Sequence, residues 1–527
     1  MPRLSLPAVR TSLLRWLAFL LVLTFLPQLT AHPAQAAVPA PVEQFAGAAS
    51  SVVPFYLAGE VGPNHYVQWV DGDLYVWSKA GDLLQHTTPG REIWQAWPGD
   101  CSIAASAEAD VAYDAAADRW VLVMLENDGL ERASSLCLAI SRSANPAADW
   151  YAFSIPWQST HQIHEPRLAV WGGSYLLTVS ETSGGDWAGS GVAALERGAM
   201  LTGNLPQNIQ FIPDENYPET RGLLPIDLDG ELFVHSGTPP IFAAWRDGTE
   251  PGGSDSLLLW HLTLDWAHPE QAVFGATDHA PNAVIKTDDW TPLCPTVSAS
   301  IPQPGTAQKL DARSGALSGS ARLREVAGAL TLVGSLTVDA GDGKAGLAWF
   351  MITNNGGGWE PSQQGVYSHP KALTWLPAAA LDQDGNLALV YALSSSTLYP
   401  SLAVTGRLAE DPHSTLPQGE TVLVNGSASN LHSAGWSQQS SLAIDPVDGC
   451  TFWTSNAVLT APGVMQTFIS AFRYPNCGLA HPAYLQGTVR DSVTNAPVTG
   501  VHVKVGAVET VSAADGSYTL RAAAGAA

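Results

Sequence analysis

Three arginines stand at matching places in this chain: Arg167, Arg221 and Arg322 each lie at or just before a short apolar strand. A guanidinium fork grips a carboxylate through two parallel hydrogen bonds, so arginines at converging strand entries form a candidate oxyanion clamp. Glu165 sits at the Arg167 entry and Asp110 at the entry of another such strand, and both supply carboxylates suited to acid or base work. Trp436, with Trp375, Trp171 and Trp187, adds flat aromatic faces on which sugar rings can stack. Read as chemistry, Asp110, Glu165, Arg167, Arg221, Arg322 and Trp436 are ligand-binding candidates, and their sharpest use is hydrolysis or elimination on a glycan. Read as architecture, the arginines hold loops between repeated units and the tryptophans are packing, which leaves binding without catalysis. The second reading is preferred, and no residue is assigned a catalytic role.

Other motifs offer less. His161, His164 and Glu165 form HQIHE, which has neither the order nor the helical setting of the zinc signatures HExxH and HxxEH, and reads as a loop entering a strand. The segments DLDGE at Asp227 and DQDGN at Asp382 start like a calcium loop but have Thr238 and Leu393 where its closing Glu belongs. They read as Asp-Gly hairpin turns, so no cofactor and no metal site is assigned, although the acidic balance leaves calcium open. There is no GxSxG elbow and no CxxC. Arg142, Arg407 and Arg473 recur near the ends of third strands, which suits a structural role in each unit.

These residues sit on a repeated unit: a short apolar strand, an Asp- or Gly-bearing turn, and a second, more apolar strand. It appears as DVAYDAAADRWVLVML, RLAVWGGSYLLTVSE, LLPIDLDGELFVHS, LREVAGALTLVGSL, AALDQDGNLALVYALSS and SLAIDPVDGCTFWTSN. Two more strands extend each unit to four, as in SLCLAISR and WYAFSIP after the first, and four antiparallel strands per repeat is the blade of a β-propeller. Equivalent turns fall near Ala117, Gly172, Gly230, Gly328, Gly385 and Gly449. The spacing is nearly even except for the long step from Gly230 to Gly328, which holds an insertion around Thr287 to Ala307. Adding HYVQWVDGDLYVWSKAGDLLQH predicts seven blades, with six as the alternative, and this N-terminal segment is also a candidate to complete the last blade and close the ring. The first strands of the blades then converge on one channel mouth, where the candidate residues belong.

Composition agrees. Charged residues are 14%, while Gly, Pro and Trp number 48, 37 and 19. That balance suits tight turns and aromatic packing in an all-β chain. Arg3, Arg10 and Arg15 precede an apolar run from Trp16 to Leu26, and Ala34-Gln35-Ala36 closes the segment. The run is too short for a bilayer and has the order of a secretory signal. Such a signal is expected over 1–36, with a mature chain starting at Ala37, a flexible N-terminal segment over 37–49 and the propeller over 50–477. Loss of three arginines takes the formal charge from −24 to −27. So acidic a chain disfavours nucleic acid and anionic lipid as partners, and no later stretch is apolar enough for membrane insertion. In an exported protein the cysteines flanking neighbouring strands pair, Cys101 with Cys137 and Cys450 with Cys477, leaving Cys294 as a buried free thiol.

After a linker at 478–483, YLQGTVRDSVTNAPVTGVHVKVGAVETVSAADGSYTLRAAAG closely resembles the carboxypeptidase regulatory-like domain. The matching residues are Gly487, Val489, Asp491, Thr494, Pro497, Gly500, Val503, Asp515, Gly516, Tyr518 and Leu520. The resemblance implies a small Ig-like or prealbumin-like β-sandwich with a carbohydrate-binding-like fold over 484–527, ending after about three strands and so truncated. Within 50–477, VAYDAAADRWVL, QPGTAQKLDA, QQGVYSHP, TGRLAEDP and IDPVDGCTFW resemble an uncharacterised group of secreted bacterial propeller proteins. These are often parts of larger cell-surface polypeptides, some with peptidase domains, so the resemblance implies extracellular deployment and no established activity. The sialidases are the enzymatic comparison: their Phe/Tyr-Arg-Ile-Pro context is echoed only by Glu165-Pro166-Arg167-Leu168, and DPVDGCTFW lacks the single-residue gap of their Asp box. The expectation is a secreted or cell-surface binding or adhesion protein with an extracellular glycan or cell-surface protein as partner. A glycan-processing enzyme and an accessory region of a secreted peptidase are the alternatives.

Overall fold

The computed structural model describes residues 37–51, 55–95, 100–102, 108–126, 135–211, 221–229, 238–249, 253–293, 299–437, 439–478, 482–492, 494–505, 508–512 and 516–523. The expected signal at 1–36 and the expected free thiol Cys294 lie outside them.

The chain is nearly all β, laid out as a series of antiparallel meanders. Four-stranded sheets cover 57–87, 109–156, 162–211 and 373–424, each in strand order from first to last. Two further meanders, 224–286 and 317–367, merge into one nine-stranded sheet because Leu224–Leu228 pairs in parallel with Leu317–Val326, in the register Ile226 to Ala321 and Asp227 to Arg322. The first strand of each meander packs beside the first strand of the next, and Leu57–Val61 meets Ser441–Ile444, so these strands form a closed ring. The fold is propeller-like.

Burial explains the sequence pattern. Strands inside a meander are covered on both faces by neighbouring sheets, and such strands carry near-continuous apolar runs. Arg119–Glu126 and Leu387–Ser394 are of this kind. Outer strands such as Trp359–Tyr367 are half covered and mostly polar.

Closure of the ring differs from expectation. Residues 65–86 belong to the first meander, and the last sheet is completed by Glu43–Ser50, inside the segment expected to be flexible. That strand pairs antiparallel with Val464–Arg473, and Gln44 Nε2 donates to Ser470 Oγ at 2.9 Å. Strand pairing supplies the backbone partners that a free N-terminal segment would lack.

The insertion folds back over the end of the ring where the first strands begin. Gln303 exchanges hydrogen bonds with the Asn430 backbone at 3.0 and 2.8 Å, and Ser394 Oγ donates to Pro302 O at 2.8 Å. Leu293, Ile301 and Leu310 share a core with Phe55, Trp375 and Trp436. Two disulfides, Cys101–Cys137 and Cys450–Cys477, join the expected pairs. Beyond the last meander, Pro482–Thr488 pairs with Ser517–Ala523 and His502–Val505 with Val508–Val511, four strands where about three were expected. Among the described residues, no helix is long and apolar enough to cross a membrane.

Candidate functional site

Inside the ring, Arg322 is 5% exposed and is held on several sides by the chain's own carboxylates. Its Nη2 donates to Glu60 Oε2 at 2.9 Å, and its Nη1 to Asp227 Oδ2 at 3.1 Å and Asp229 Oδ1 at 2.7 Å. Parallel pairing of Leu224–Leu228 with Leu317–Val326 sets Asp227 opposite Arg322, and Glu60 reaches across from Leu57–Val61. Asp227 was expected in a turn; its carboxylate instead lies in the ring, where Oδ1 also accepts the Val170 N–H at 3.0 Å. Desolvation pushes Asp227 up to about 7 against the pull of Arg322, with Glu60 adding to the rise. Desolvation raises Glu60 as well, again against Arg322. Neighbouring Arg324, 7% exposed, has no hydrogen-bond partner for Nε or Nη2, and Asp229 Oδ2 has none either.

A second cluster lies nearer the covered end. Tyr56, Glu108, Glu165, Arg167 and Gln439 line a narrow cleft there. Arg167 donates to Gln439 Oε1, and Asp110, close to Arg167, accepts the Leu168 N–H at 2.9 Å. Desolvation raises Asp110, opposed by Arg167. Glu165 takes a left-handed φ of 52° at a bulge between His164 and Arg167, and this turns it toward Arg313. Such a backbone state is uncommon for a non-glycine residue, and bulges are a usual means of re-aiming a side chain. Arg313, at the end of the insertion, pairs with Glu165. Desolvation works to raise Glu165, but Arg313 and Arg167 outweigh it, so the carboxyl sits below its usual range. Glu108 accepts the Glu165 N–H and pairs with His164 Nδ1 at 3.3 Å, which raises His164.

The sequence candidates therefore divide. Asp110, Glu165 and Arg167 come together, Arg322 sits deeper in the ring, and Arg221 stands apart, exposed, with its guanidinium 5.1 Å from the Trp187 ring centre. Trp436, a candidate stacking face, is 3% exposed and packs edge-on to Trp375 at 6.3 Å, so it is core, in line with the packing reading. The insertion supplies the apolar cover that buries it. Sequence reading missed Glu60, Glu108, Arg313 and Gln439. Glu60 had a signal, a lone carboxylate in the small and apolar run LAGEV; the others had none.

The two histidines of HQIHE serve different acids, His161 Nδ1 meeting Glu181 Oε2 at 3.1 Å and His164 meeting Glu108. Among the described residues, no three His, Cys, Asp or Glu are grouped to hold a metal. In DQDGN, Asp382 Oδ1 accepts the Asp384 and Asn386 N–H groups, both at 2.9 Å, which is turn chemistry.

One pH effect follows. A carboxyl raised on folding stabilises the protein fully below its unfolded value, and that contribution is lost as pH rises through the folded value. For Asp227 the loss falls between about pH 4 and about 7. Urea unfolding at pH 5 and pH 8 is expected to show lower stability at pH 8, and Asp227→Asn to recover about 2 kcal/mol of the difference. An unchanged pH slope in that variant would contradict the assignment.

No family model matches the chain, and no curated protein does. Solved structures of similar layout include a Dyadobacter fermentans protein of unknown function, 12% identical, covering 82% of this chain and 99% of its own, with a TM-score of 0.37. A polysaccharide lyase acting on ulvan is 10% identical over 85% of this chain and 99% of its own, with a TM-score of 0.40. A Hadza microbial sialidase is 12% identical over 78% of this chain and 74% of its own, with a TM-score of 0.35. Scores this low assign the chain no function.

Proposed function

We propose that this chain is a secreted or cell-surface binding protein that captures an extracellular glycan or a cell-surface protein without transforming it. On this reading the meanders are seven blades, with Glu43–Ser50 closing the last. The signal is removed at Ala37, and residues 484–527 belong to a carboxypeptidase regulatory-like sandwich after a 478–483 linker. Extracellular deployment is supported by the two disulfides, since such bonds persist in oxidising compartments.

The observation that carries the non-catalytic reading is the occupation of the arginines. Arg322 is already bonded to Glu60, Asp227 and Asp229, Arg167 to Gln439 beside Asp110, and Arg313 to Glu165. A clamp for a substrate carboxylate needs uncommitted donors, and breaking these pairs would leave buried carboxylates unpaired. The second reading, a glycan-processing enzyme, is favoured by one observation: Glu165, Glu108 and Arg167 line one cleft, with His164 paired to Glu108.

The test is a glycan array probed with the mature chain. Capture of a defined saccharide class is the expected result; a blank array with correctly folded protein would overturn the saccharide part of the proposal.

A further inference from the structure

Arg322 and Arg313 are claimed by acids, in a chain where 48 Asp and Glu outnumber 24 Lys and Arg. Arg221 is the exception among the three arginines at strand entries. It is exposed, no carboxylate among the described residues lies within ion-pair distance of it, and its recorded contact is the face of Trp187. Inside the ring, Arg167 bonds to Gln439, and both terminal nitrogens of Arg322 are taken by carboxylates.

The position is fixed by the backbone beneath it. Gly222 has a φ of 69°, and a Cβ there would come within 2.7 Å of the Ala316 side chain. Glycine alone tolerates both conditions, so the chain turns tightly against its neighbour directly after Arg221. The next residue is anchored too, because Thr178 Oγ1 donates to Leu223 O at 2.8 Å. Trp187 lies on the third strand of the adjacent meander, level with Thr182 and Gln162 on the second and first. At about 4.8 Å per strand, it is roughly 10 Å outward from the ring strand, clear of the Arg322 and Glu165 clusters.

Resting on the saccharide-binding reading, we propose that Arg221 and Trp187 form a rim subsite for the carboxylate of an acidic sugar. The ring holds the guanidinium by a cation–aromatic contact, so less freedom is lost when ligand binds, and the N–H edge stays available to a planar, two-oxygen acceptor. A carboxylate matches that edge. The ligand is a saccharide with isolated acid groups, because a net charge of −24 repels a densely charged polyanion.

The experiment is calorimetric titration of the mature chain with three oligosaccharides of one backbone: one ending in a uronic acid, its neutral counterpart and a monosulfated form. The uronic form is expected to bind about tenfold or more tightly than the neutral one. Arg221→Ala should erase that preference, Arg221→Lys should keep part of it, and neither should change Tm, since Arg221 is exposed. Equal binding of acidic and neutral forms, a preference that survives Arg221→Ala, or tighter binding of the sulfated form would each overturn the carboxylate subsite and leave saccharide binding standing. Failure of all three to bind would overturn the saccharide reading itself.

Discussion

Replacing Arg322 with leucine is expected to destabilise the protein by about 3–5 kcal/mol, the usual consequence of removing one partner from a buried ionic cluster. The guanidinium joins strands from three meanders, and without it Glu60, Asp227 and Asp229 face one another with no hydrogen-bonded cation between them. Arg324 is close, but its Nε and Nη2 reach no acceptor. The loss should be larger at pH 8 than at pH 5, because Glu60 and Asp227 are raised and protonation relieves part of the repulsion. Arg322→Lys should fall between wild type and leucine, since a single ammonium cannot reproduce the fork that reaches Glu60 on one side and the aspartates on the other. Urea unfolding at the two pH values measures this, and a leucine variant as stable as wild type would remove Arg322 from the centre of the fold.

The second large effect concerns Asp114, in the turn DAAAD. Its side chain is fully buried. Oδ2 takes the Tyr175 hydroxyl at 2.8 Å and Arg197 Nε at 2.6 Å, and Oδ1 takes Arg197 Nη2 at 2.9 Å and the Ala117 N–H at 3.0 Å. One carboxylate therefore opens a turn in its own sheet and fastens the next sheet by a bidentate pair. Asp114→Ala is expected to cost about 3 kcal/mol, leaving Arg197 and Tyr175 without their acceptor. Asp118, four residues on, only accepts a hydrogen bond from the Tyr113 hydroxyl in an exposed setting. Asp118→Asn, which keeps a side chain suited to the left-handed φ of 55° at that position, should therefore cost under about 1 kcal/mol. Equal effects of the two substitutions in urea unfolding would refute the inter-sheet role.

Asp114 also marks the limit of sequence reading. Its turn is local: the Asp, the small residues after it and the apolar strand beyond lie within one stretch, and such repeats located the first two strands of most meanders. In LLPIDLDGELFVHS the expected second strand ELFVHS lies outside the described residues, and Ile241–Arg246 is the strand that pairs with Leu224–Leu228. Its partners Tyr175 and Arg197 belong to the next repeat, and nothing in either repeat points to the other. The same separation hid the ring closure, where Gln44 meets Ser470, and the pairing of Glu60 with Arg322. The use of the Asp227 carboxylate was hidden as well: DLDG has the local signature of a turn, whose Gly230 lies outside the described residues, and only the parallel pairing with a strand far along the chain brings Asp227 to Arg322. Trp436 is core, as the packing reading of the tryptophans has it, and its candidacy as a stacking face falls because the insertion covers it. The recurrence of arginines at strand entries was legible; which of them pairs with an acid among the described residues depended on where the acids fell.

In the proposed function the arginines inside the ring serve the scaffold and the chain binds its ligand without transforming it. The most direct measurement is mass-spectrometric product analysis of a captured saccharide after prolonged incubation with the mature protein. The saccharide is expected to be recovered unchanged in mass and chain length at every pH between 5 and 8. Shortened or unsaturated products formed by the wild type and abolished by Arg167→Lys in a folded variant would contradict it and place catalysis in the Glu165 and Arg167 cleft.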